Sequence, residues 1–288
     1  MASLKDIRRR ITSVKNTKQI TRAMKLVSAA KLRRAQEAAL GGRDFSRRLE
    51  EVLHLVSENL PHGYSNPLLQ EAEKVLRKRV IFIAGERGLC GAFNTNLFKA
   101  VEALKVSATK SLVELEFVPV GKRSCAYARS RGWNVVAAYE GLPEDVALWP
   151  IGEVIERQVQ DFLKGEIQEV VLFHTEFVSV MTQNIKQEKL LPFQLLNVGI
   201  SAERQFKFDS SPEVIVYQMI PLLISTKLTQ SALESKASEH ASRMTAMDSA
   251  TRNADDLISR LKLFYNRARQ SAITTELIDI VGGAEAQK

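Results

Sequence analysis

The pattern of apolar and polar positions changes twice along the chain, and the last pattern is the longest. From Leu222 to Val281 a run of 60 residues contains neither Gly nor Pro. Within it, small and apolar residues alternate in spacing by four and three, the repeat of a helix that coils around a partner. These residues are Leu233, Ala237, His240, Met244, Met247, Thr251, Ala254, Ile258, Leu261, Tyr265, Ala268 and Ala272. Such a helix would be about 90 Å long, far more than a compact core requires.

A second long helix is predicted at the N-terminus, within residues 1–60. Ser3 is a suitable N-cap, and Leu4, Ile7 and Ile11 follow helical spacing. Gly41-Gly42 interrupts the pattern at a cost of about 2 kcal/mol relative to two alanines. We expect a continuous helix that packing holds together, in preference to a bend.

The middle of the chain, residues 76–190, alternates short apolar runs with helical patterns. This alternation indicates a small Rossmann-like α/β domain with a largely parallel sheet. The predicted strands are 79–84, 115–120, 134–138, 170–174 and 178–185, and the predicted helices are 94–105, 122–131 and 145–164. Residues 186–210 are predicted to be a connection. Ser211-Pro212-Glu213 then marks the start of the last helix, 211–286, in which Pro221 should produce a kink.

The predicted fold class is therefore α/β plus coiled coil. The α/β domain is inserted between two long helices, and it returns the chain close to where it left. The two helices can then pair as an antiparallel coiled coil within one molecule. The alternative is an intermolecular coiled coil in a dimeric tether.

The charge distribution points to the N-terminal helix as a binding surface. The formal net charge is +8, but residues 1–50 hold 14 Lys/Arg against 4 Asp/Glu, whereas residues 212–288 hold nine of each. A basic helix can meet nucleic acid, an anionic membrane or an acidic protein. No aromatic residue precedes Phe45, and no DNA-binding motif is present. An acidic protein that surrounds the helix is favoured, and a basic coiled-coil tether for nucleic acid is the alternative.

Candidate chemistry is sparse. Gly85 to Gly91 follows a strand and precedes a helix, but its G-x-x-G-x-x-G spacing is neither a dinucleotide nor a P-loop fingerprint. A tight turn that packs the helix on the sheet is favoured over a phosphate site. The four histidines are scattered, and the two cysteines suit a reducing compartment. We expect no catalytic residue, no metal and no cofactor, with a nucleotide-dependent enzyme as an alternative.

The far end of the last helix is apolar on nearly all sides. From Leu261 to Val281, apolar side chains point in almost every direction, and such a helix is normally enclosed. This segment extends past any partner that the shorter N-terminal helix offers. We therefore expect a foreign protein to surround it.

Three motifs resemble the γ subunit of F-type ATP synthases. The N-terminal run from Ile7 to Lys25 is similar to the N-terminal signature of that family. The middle run Glu86-Arg87-Gly88-Leu89-Cys90-Gly91-Ala92-Phe93-Asn94 is similar to its central motif. The segments Arg243 to Met247 and Tyr265 to Leu277 resemble its C-terminal signature. Gly85-Glu86 departs from the hydroxyl residue and Asp that are usual in the family, which affects only the local hydrogen bonding of the loop.

The resemblance implies a central rotary shaft that is not itself an enzyme. Its expected partners are the α and β subunits in an α3β3 ring, the ε subunit and the membrane c-ring, with no nucleic acid. Proton flow would turn the shaft, and its asymmetry would drive each β subunit through its conformations in turn. The expected location is the cytoplasmic side of a bacterial inner membrane, as a peripheral protein.

The resemblance also implies residues that contact the α3β3 ring. Met24 and Lys25 match positions that face acidic loops of β. A further six match positions that grip β catch loops. They are Arg243, Arg269, Gln270, Thr274, Glu276 and Asp279.

Overall fold

The computed structural model describes residues 3–61, 64–194 and 209–285. Its elements, in chain order, are α1 (Leu4–Ser57), β1 (Arg77–Ile83), α2 (Phe93–Lys110), β2 (Glu114–Val120), α3 (Lys122–Ser130), a 3-10 turn (Val146–Leu148), α4 (Ile151–Leu163), β3 (Glu169–Phe177), β4 (Gln183–Leu191) and α5 (Pro212–Glu285). The side chains of Asp279 and of residues 282–285 lie outside the described part.

The chain divides into two compact units. Unit 1 comprises residues 1–29 and 243–288, and unit 2 comprises residues 30–242. Both long helices contribute to each unit. The predicted domains 1–60, 76–190 and 211–286 were drawn along the long helices and the α/β region, whereas the two units group residues by their contacts. The predicted division therefore stays a prediction.

In unit 1 the two long helices form an antiparallel pair. Lys18 contacts Asp255, the Thr21 and Thr251 hydroxyls lie 2.8 Å apart, and Lys25 contacts Asp248. As the residue number on one helix rises, the number on the other falls. The predicted seam is enclosed here at Met247, Ala254 and Ile258, which are all buried. Antiparallel pairing within one molecule is thus confirmed.

The start of α1 and its continuity also match the prediction. The amide of Asp6 donates to Ser3 Oγ at 3.2 Å, and the Asp6 carboxylate accepts from the Ser3 amide at 3.3 Å, so the two residues cap each other. The helix runs unbroken through Gly41-Gly42. A Cβ at Gly42 would lie only 2.3 Å from Gln230 Oε1, so the Gln230 side chain of α5 would have to move to admit a side chain there.

The core of unit 2 is a four-stranded sheet in the order β2-β1-β3-β4. β1 is parallel to β2 and β3, and β4 is antiparallel to β3. Alternate residues of β1 face opposite sides. Val80 and Phe82 pack in the cluster that includes residues of α2 and α3. Ile81 and Ile83 pack in a second cluster with residues of α4, the end of α1 and the start of α5. The long helices are thus part of the domain core.

Three predicted elements were wrong in detail. Residues 134–138 do not form a strand, and this stretch contributes only the isolated bridge of Val135 to Phe117, with another from Tyr139 to Val120. The predicted helix 145–164 is divided at Pro150, because proline holds Trp149 in an extended conformation. β4 begins at Gln183 and not at Val178, since the amide of Ser179 donates to Thr182 O in a tight turn. It then continues to Leu191, inside the predicted connection.

Candidate functional site

The carboxyl end of β1 is where a doubly wound α/β domain would bind a ligand. β1 pairs with β2 on one side and with β3 on the other, and ligands of such folds bind where the strand order diverges. The loop Gly85 to Gly91 lies at this position. Its first amide, that of Gly85, donates to Asn94 Oδ1 at 3.0 Å, and Gly85 O accepts from the Arg123 amide at 3.1 Å. The first residue of the loop is therefore held by bonds within the chain.

Helix α5 fills the same crevice. The amide of Thr175 on β3 donates to Ser235 Oγ at 3.2 Å, and Ser238 Oγ donates to Thr175 O at 3.2 Å. A Cβ at Gly85 would lie 3.0 Å from the Glu239 carboxylate, so α5 also lies directly against the loop. The space that a nucleotide occupies in other folds of this class thus holds part of the chain itself. This arrangement argues against the nucleotide-dependent enzyme.

The segment of α5 that fills the crevice is polar and yet almost completely buried. From Ser231 to Ser242, every residue except Leu233 is buried. Serines recur on this segment at spacings of four, three and four, at Ser231, Ser235, Ser238 and Ser242. One face of α5 therefore carries small side chains, against which β3 can pack closely. Sequence reasoning missed this docking face, although the serine spacing was a visible signal for it.

Ion pairs stabilise this buried segment. Glu234 contacts Arg43 of α1 at 2.9 Å and His174 of β3 at 3.8 Å, and it accepts from Gln230 Nε2 at 2.9 Å. Burial alone would raise the pKa of Glu234, but the hydrogen bonds from His174, Gln230 and Arg43 lower it to about 2. The carboxylate is therefore ionised and links α1, β3 and α5.

A second carboxylate, Glu144, lies in the loop before the 3-10 turn. It accepts from Lys31 of α1 at 2.8 Å and from His240 of α5 at 2.6 Å. The hydrogen bond from His240 is the main cause that holds the pKa of Glu144 far below its usual range. The sequence gave no reason to select Glu144, because only the fold brings this loop between the two helices.

The predicted ring-contact residues on α1 lie in unit 1. Met24 is half-buried. The Lys25 ammonium donates to Asp248 at 2.5 Å, and this bond holds the pKa of Asp248 below its usual range. The Lys25 side chain remains 42% exposed, so its ammonium can also donate to a second, external carboxylate.

The predicted contact residues on α5 fall into two groups. Arg243 is only 8% exposed. Arg269, Gln270, Thr274 and Glu276 are all exposed, whereas the Asp279 side chain lies outside the described part. The Thr274 hydroxyl donates to Gln270 O at 2.9 Å, a bond within the helix that leaves both side chains accessible. The structure thus places the second group together along the last turns of α5.

These last turns belong to the C-terminal tip, defined as Leu261–Val281. Its large apolar side chains are exposed, among them Leu263 at 62% and Ile278 at 64%, and so are Phe264, Ile273, Leu277, Ile280 and Val281. From Ser271 to Ile278 no side chain is buried. The register of Lys18 with Asp255 would place Leu4, the first residue of α1, opposite Arg269. The remainder of the tip therefore has no partner helix within unit 1.

Neither a metal centre nor a membrane span is found in the described ranges. No three His, Cys, Asp or Glu side chains there are grouped so that they could hold a metal ion. No helix among those residues is both long and apolar enough to span a bilayer.

Paired helices with an exposed apolar tip, and an α/β domain whose crevice is filled, define a helical structural subunit. Comparison with known proteins gives its family. The family model described as ATP synthase matches residues 3–287. The ATP synthase gamma chain of Chlorobium phaeobacteroides (strain BS1) is 42% identical over 99% of both chains, and that of Pelotomaculum thermopropionicum is equally identical over 99% of both chains. The chain belongs to the ATP synthase γ chain family.

Solved structures show the same fold at lower identity. A chain from the central stalk and c-ring of the Tetrahymena thermophila mitochondrial ATP synthase has a TM-score of 0.59 and 21% identity, and it covers 80% of this chain and 99% of its own length. A chain from the rotor of the Euglena gracilis mitochondrial enzyme has a TM-score of 0.64 and 16% identity, with 94% and 98% covered. By family, the chain is a non-catalytic subunit of the synthase complex.

Proposed function

We propose that this chain is the central rotary shaft of a bacterial F-type ATP synthase. The observation that carries the proposal is the exposed C-terminal tip, since a row of large apolar side chains in water is unfavourable and requires a partner. A sleeve of α and β subunits in an α3β3 ring would supply that partner. In this role the shaft couples proton-driven rotation of the c-ring to the conformational cycle of the β subunits.

Coupling requires that the shaft contact the β subunits unequally. A shaft with equal contacts in every orientation would shift no β equilibrium. The exposed residues Arg269, Gln270, Thr274 and Glu276 follow one another along the tip, where such unequal contacts can form. Asp279 continues the same series along the sequence.

The second set of ring contacts is assigned to the helix pair of unit 1. Lys25 would pair with acidic loops of β while it keeps Asp248, because its side chain is partly exposed. Met24 lies beside it. Arg243 is largely enclosed, so its expected role is to hold the helix in position, with only its remaining exposed surface available to β.

The filled crevice of unit 2 also supports the assignment. A domain that is bonded to α5 at Thr175 and to both long helices at Glu144 can pass a turning force to them. We assign this domain to the foot that meets the ε subunit and the c-ring, on the cytoplasmic side of the inner membrane. The chain would then be a peripheral membrane protein.

The test is co-expression with the α and β subunits of the same cell. We expect an α3β3γ complex that co-purifies and hydrolyses ATP, and we expect a chain that lacks residues 271–288 to co-purify poorly. If the full chain eluted alone, and bound bare DNA or RNA with a steep salt dependence, the nucleic-acid tether would replace the shaft.

A further inference from the structure

Glu144 links its own loop in the α/β domain to α1 and to α5, three segments of unit 2 that are far apart in the sequence. Its carboxylate accepts from Lys31 on α1 through Oε2 at 2.8 Å, and from His240 on α5 through Oε1 at 2.6 Å. Because the two oxygens of one carboxylate hold the two helices, Lys31 and His240 lie at the same level of the helix pair. The α/β domain thus contacts both helices through one side chain.

The loop that carries Glu144 is itself fixed to the domain. The amide of Leu142 donates to Glu86 Oε1 at 3.1 Å, and Trp149 Nε1 donates to Pro143 O at 2.9 Å. The ring of Trp149 also lies 5.8 Å from the Lys236 ammonium of α5. A force on the helices at Lys31 and His240 is therefore met by a loop that is bonded on both sides of Glu144.

The burial of His240 and the nearby lysine charges strengthen the hydrogen bonds that Glu144 accepts. His240 has 4% of its side chain exposed, so water competes little for its ring nitrogen, whereas the Glu144 side chain is 51% exposed. Bonds between charged partners are stronger than neutral ones, and Lys31 supplies such a partner. The cation at Lys236 further favours the ionised carboxylate.

We infer that Glu144 is a positioning residue that transmits torque, because it prevents the α/β domain from turning relative to the two long helices under load. This inference rests on the proposed shaft function and deepens it. The bond to α1 resists motion of that helix, and the bond to α5 resists motion of the other.

The matched control lies four residues away. Glu140 accepts from Arg129 of α3 at 2.8 Å, and its side chain is 47% exposed, against 51% for Glu144. The Glu140 pair joins two parts of the α/β domain and reaches neither long helix in unit 2. Glu144→Ala and Glu140→Ala therefore remove similar surface charges and differ in the link to the helices.

The experiment compares ATP hydrolysis with ATP-driven proton uptake, both by the whole synthase in membrane vesicles. Glu144→Ala removes the bonds to both Lys31 and His240. We expect proton uptake per ATP hydrolysed to fall by about threefold, the size of effect that the loss of partly exposed ion pairs has on an equilibrium. Hydrolysis by the solubilised α3β3γ complex should be unchanged, and Glu140→Ala should leave both readouts at the wild-type value. An unchanged ratio in Glu144→Ala, or an equal fall in Glu140→Ala, would overturn the inference.

If Glu144→Ala fails to assemble, two substitutions of its partner His240 still test the inference. His240→Gln retains a donor toward Glu144 and should preserve the ratio, whereas His240→Ala should lower it. Equal ratios in these two variants would also overturn the inference. If wild-type complexes neither assembled nor pumped, the proposed function would fail, which is a different result from a selective loss in the variants.

Discussion

Gly41 and Gly42 are neighbours in α1 with opposite structural roles. A Cβ at Gly41 would meet nothing within 4 Å, whereas a Cβ at Gly42 would lie 2.3 Å from Gln230 Oε1. Gln230 has little freedom to move, since its Nε2 donates to Ala39 O and to Glu234. Of the two glycines, only Gly42 therefore lies where a side chain of α5 packs closely against α1.

This difference gives a stability prediction at the residue scale. Gly42→Ala should lower the free energy of unfolding by about 1–3 kcal/mol through overpacking. Gly41→Ala should raise it by about 0.5–1 kcal/mol, because alanine loses less backbone entropy in a helix. Urea unfolding followed by circular dichroism measures both. Equal effects of the two substitutions would contradict the close approach of α5 at Gly42.

Glu234 gives a second prediction, for acid stability. Its pKa is lowered to about 2 in the folded chain, below its unfolded value of about 4.5. Its contribution is thus present above pH 4.5 and is lost as the pH falls toward 2, with an upper size of about 3 kcal/mol. Glu234→Gln should remove that part of the pH dependence and destabilise the chain at pH 7.

The control for this measurement is Glu37→Gln, since Glu37 forms an exposed pair with Arg33 in the same helix turn. It should change the free energy of unfolding by well under 1 kcal/mol. The measurement is the urea midpoint at pH 7, 4 and 3. A Glu234→Gln chain that lost stability with falling pH as steeply as the wild type would count against an ionised, buried Glu234.

At the scale of elements, the period of the apolar positions predicted the long helices and the central strands. The same period predicted wrong element bounds where a proline or a tight turn interrupts the element. Pro150 divides a helix that the apolar spacing continued, and the turn at Ser179 delays β4. Residues 134–138 have a strand-like composition but lie at the sheet edge, where only Val135 among them makes a bridge.

The candidate site was predicted less well than the fold, for a physical reason. Polar residues such as Glu239 and His240 are usually solvated, and only tertiary contacts reveal that α5 buries them against the sheet. The tip was easier to predict, because apolar residues on all sides of one helix indicate a missing partner without any knowledge of the fold. The positions that grip β came from family resemblance alone.

The docking of α5 on β3 gives a prediction at this scale. Ser235→Ala would leave the buried amide of Thr175 without its acceptor, which should cost about 1–3 kcal/mol in the free energy of unfolding. Ser249→Ala, at an exposed position of the same helix, should be neutral or slightly stabilising. Thermal unfolding of both variants tests this. Equal melting temperatures would show that the contact with Thr175 contributes nothing to docking.

At the scale of the whole molecule, the two units have different roles in the proposed shaft. Unit 1 carries the exposed tip and the paired helices. Unit 2 joins both long helices to an α/β domain in which α5 is hydrogen-bonded to β3 at Thr175. A substitution in unit 1 should therefore change assembly with the ring, whereas one in the Glu144 contact should change only the coupling of proton uptake to hydrolysis.

Gln270 tests the first half of this statement. Its side chain is exposed close to the level at which α1 begins, and its amide can donate to and accept from a β loop. Gln270→Leu removes those hydrogen bonds and keeps a similar volume, so we expect coupled ATP synthesis to fall by about tenfold, the effect of about 1.4 kcal/mol. Gln218→Leu, exposed on α5 in unit 2, is the matched control and should leave both α3β3 assembly and coupled ATP synthesis unchanged. Normal synthesis by the Gln270→Leu complex would remove Gln270 from the ring contacts, and the apolar side chains of the tip would then have to supply the asymmetry on their own.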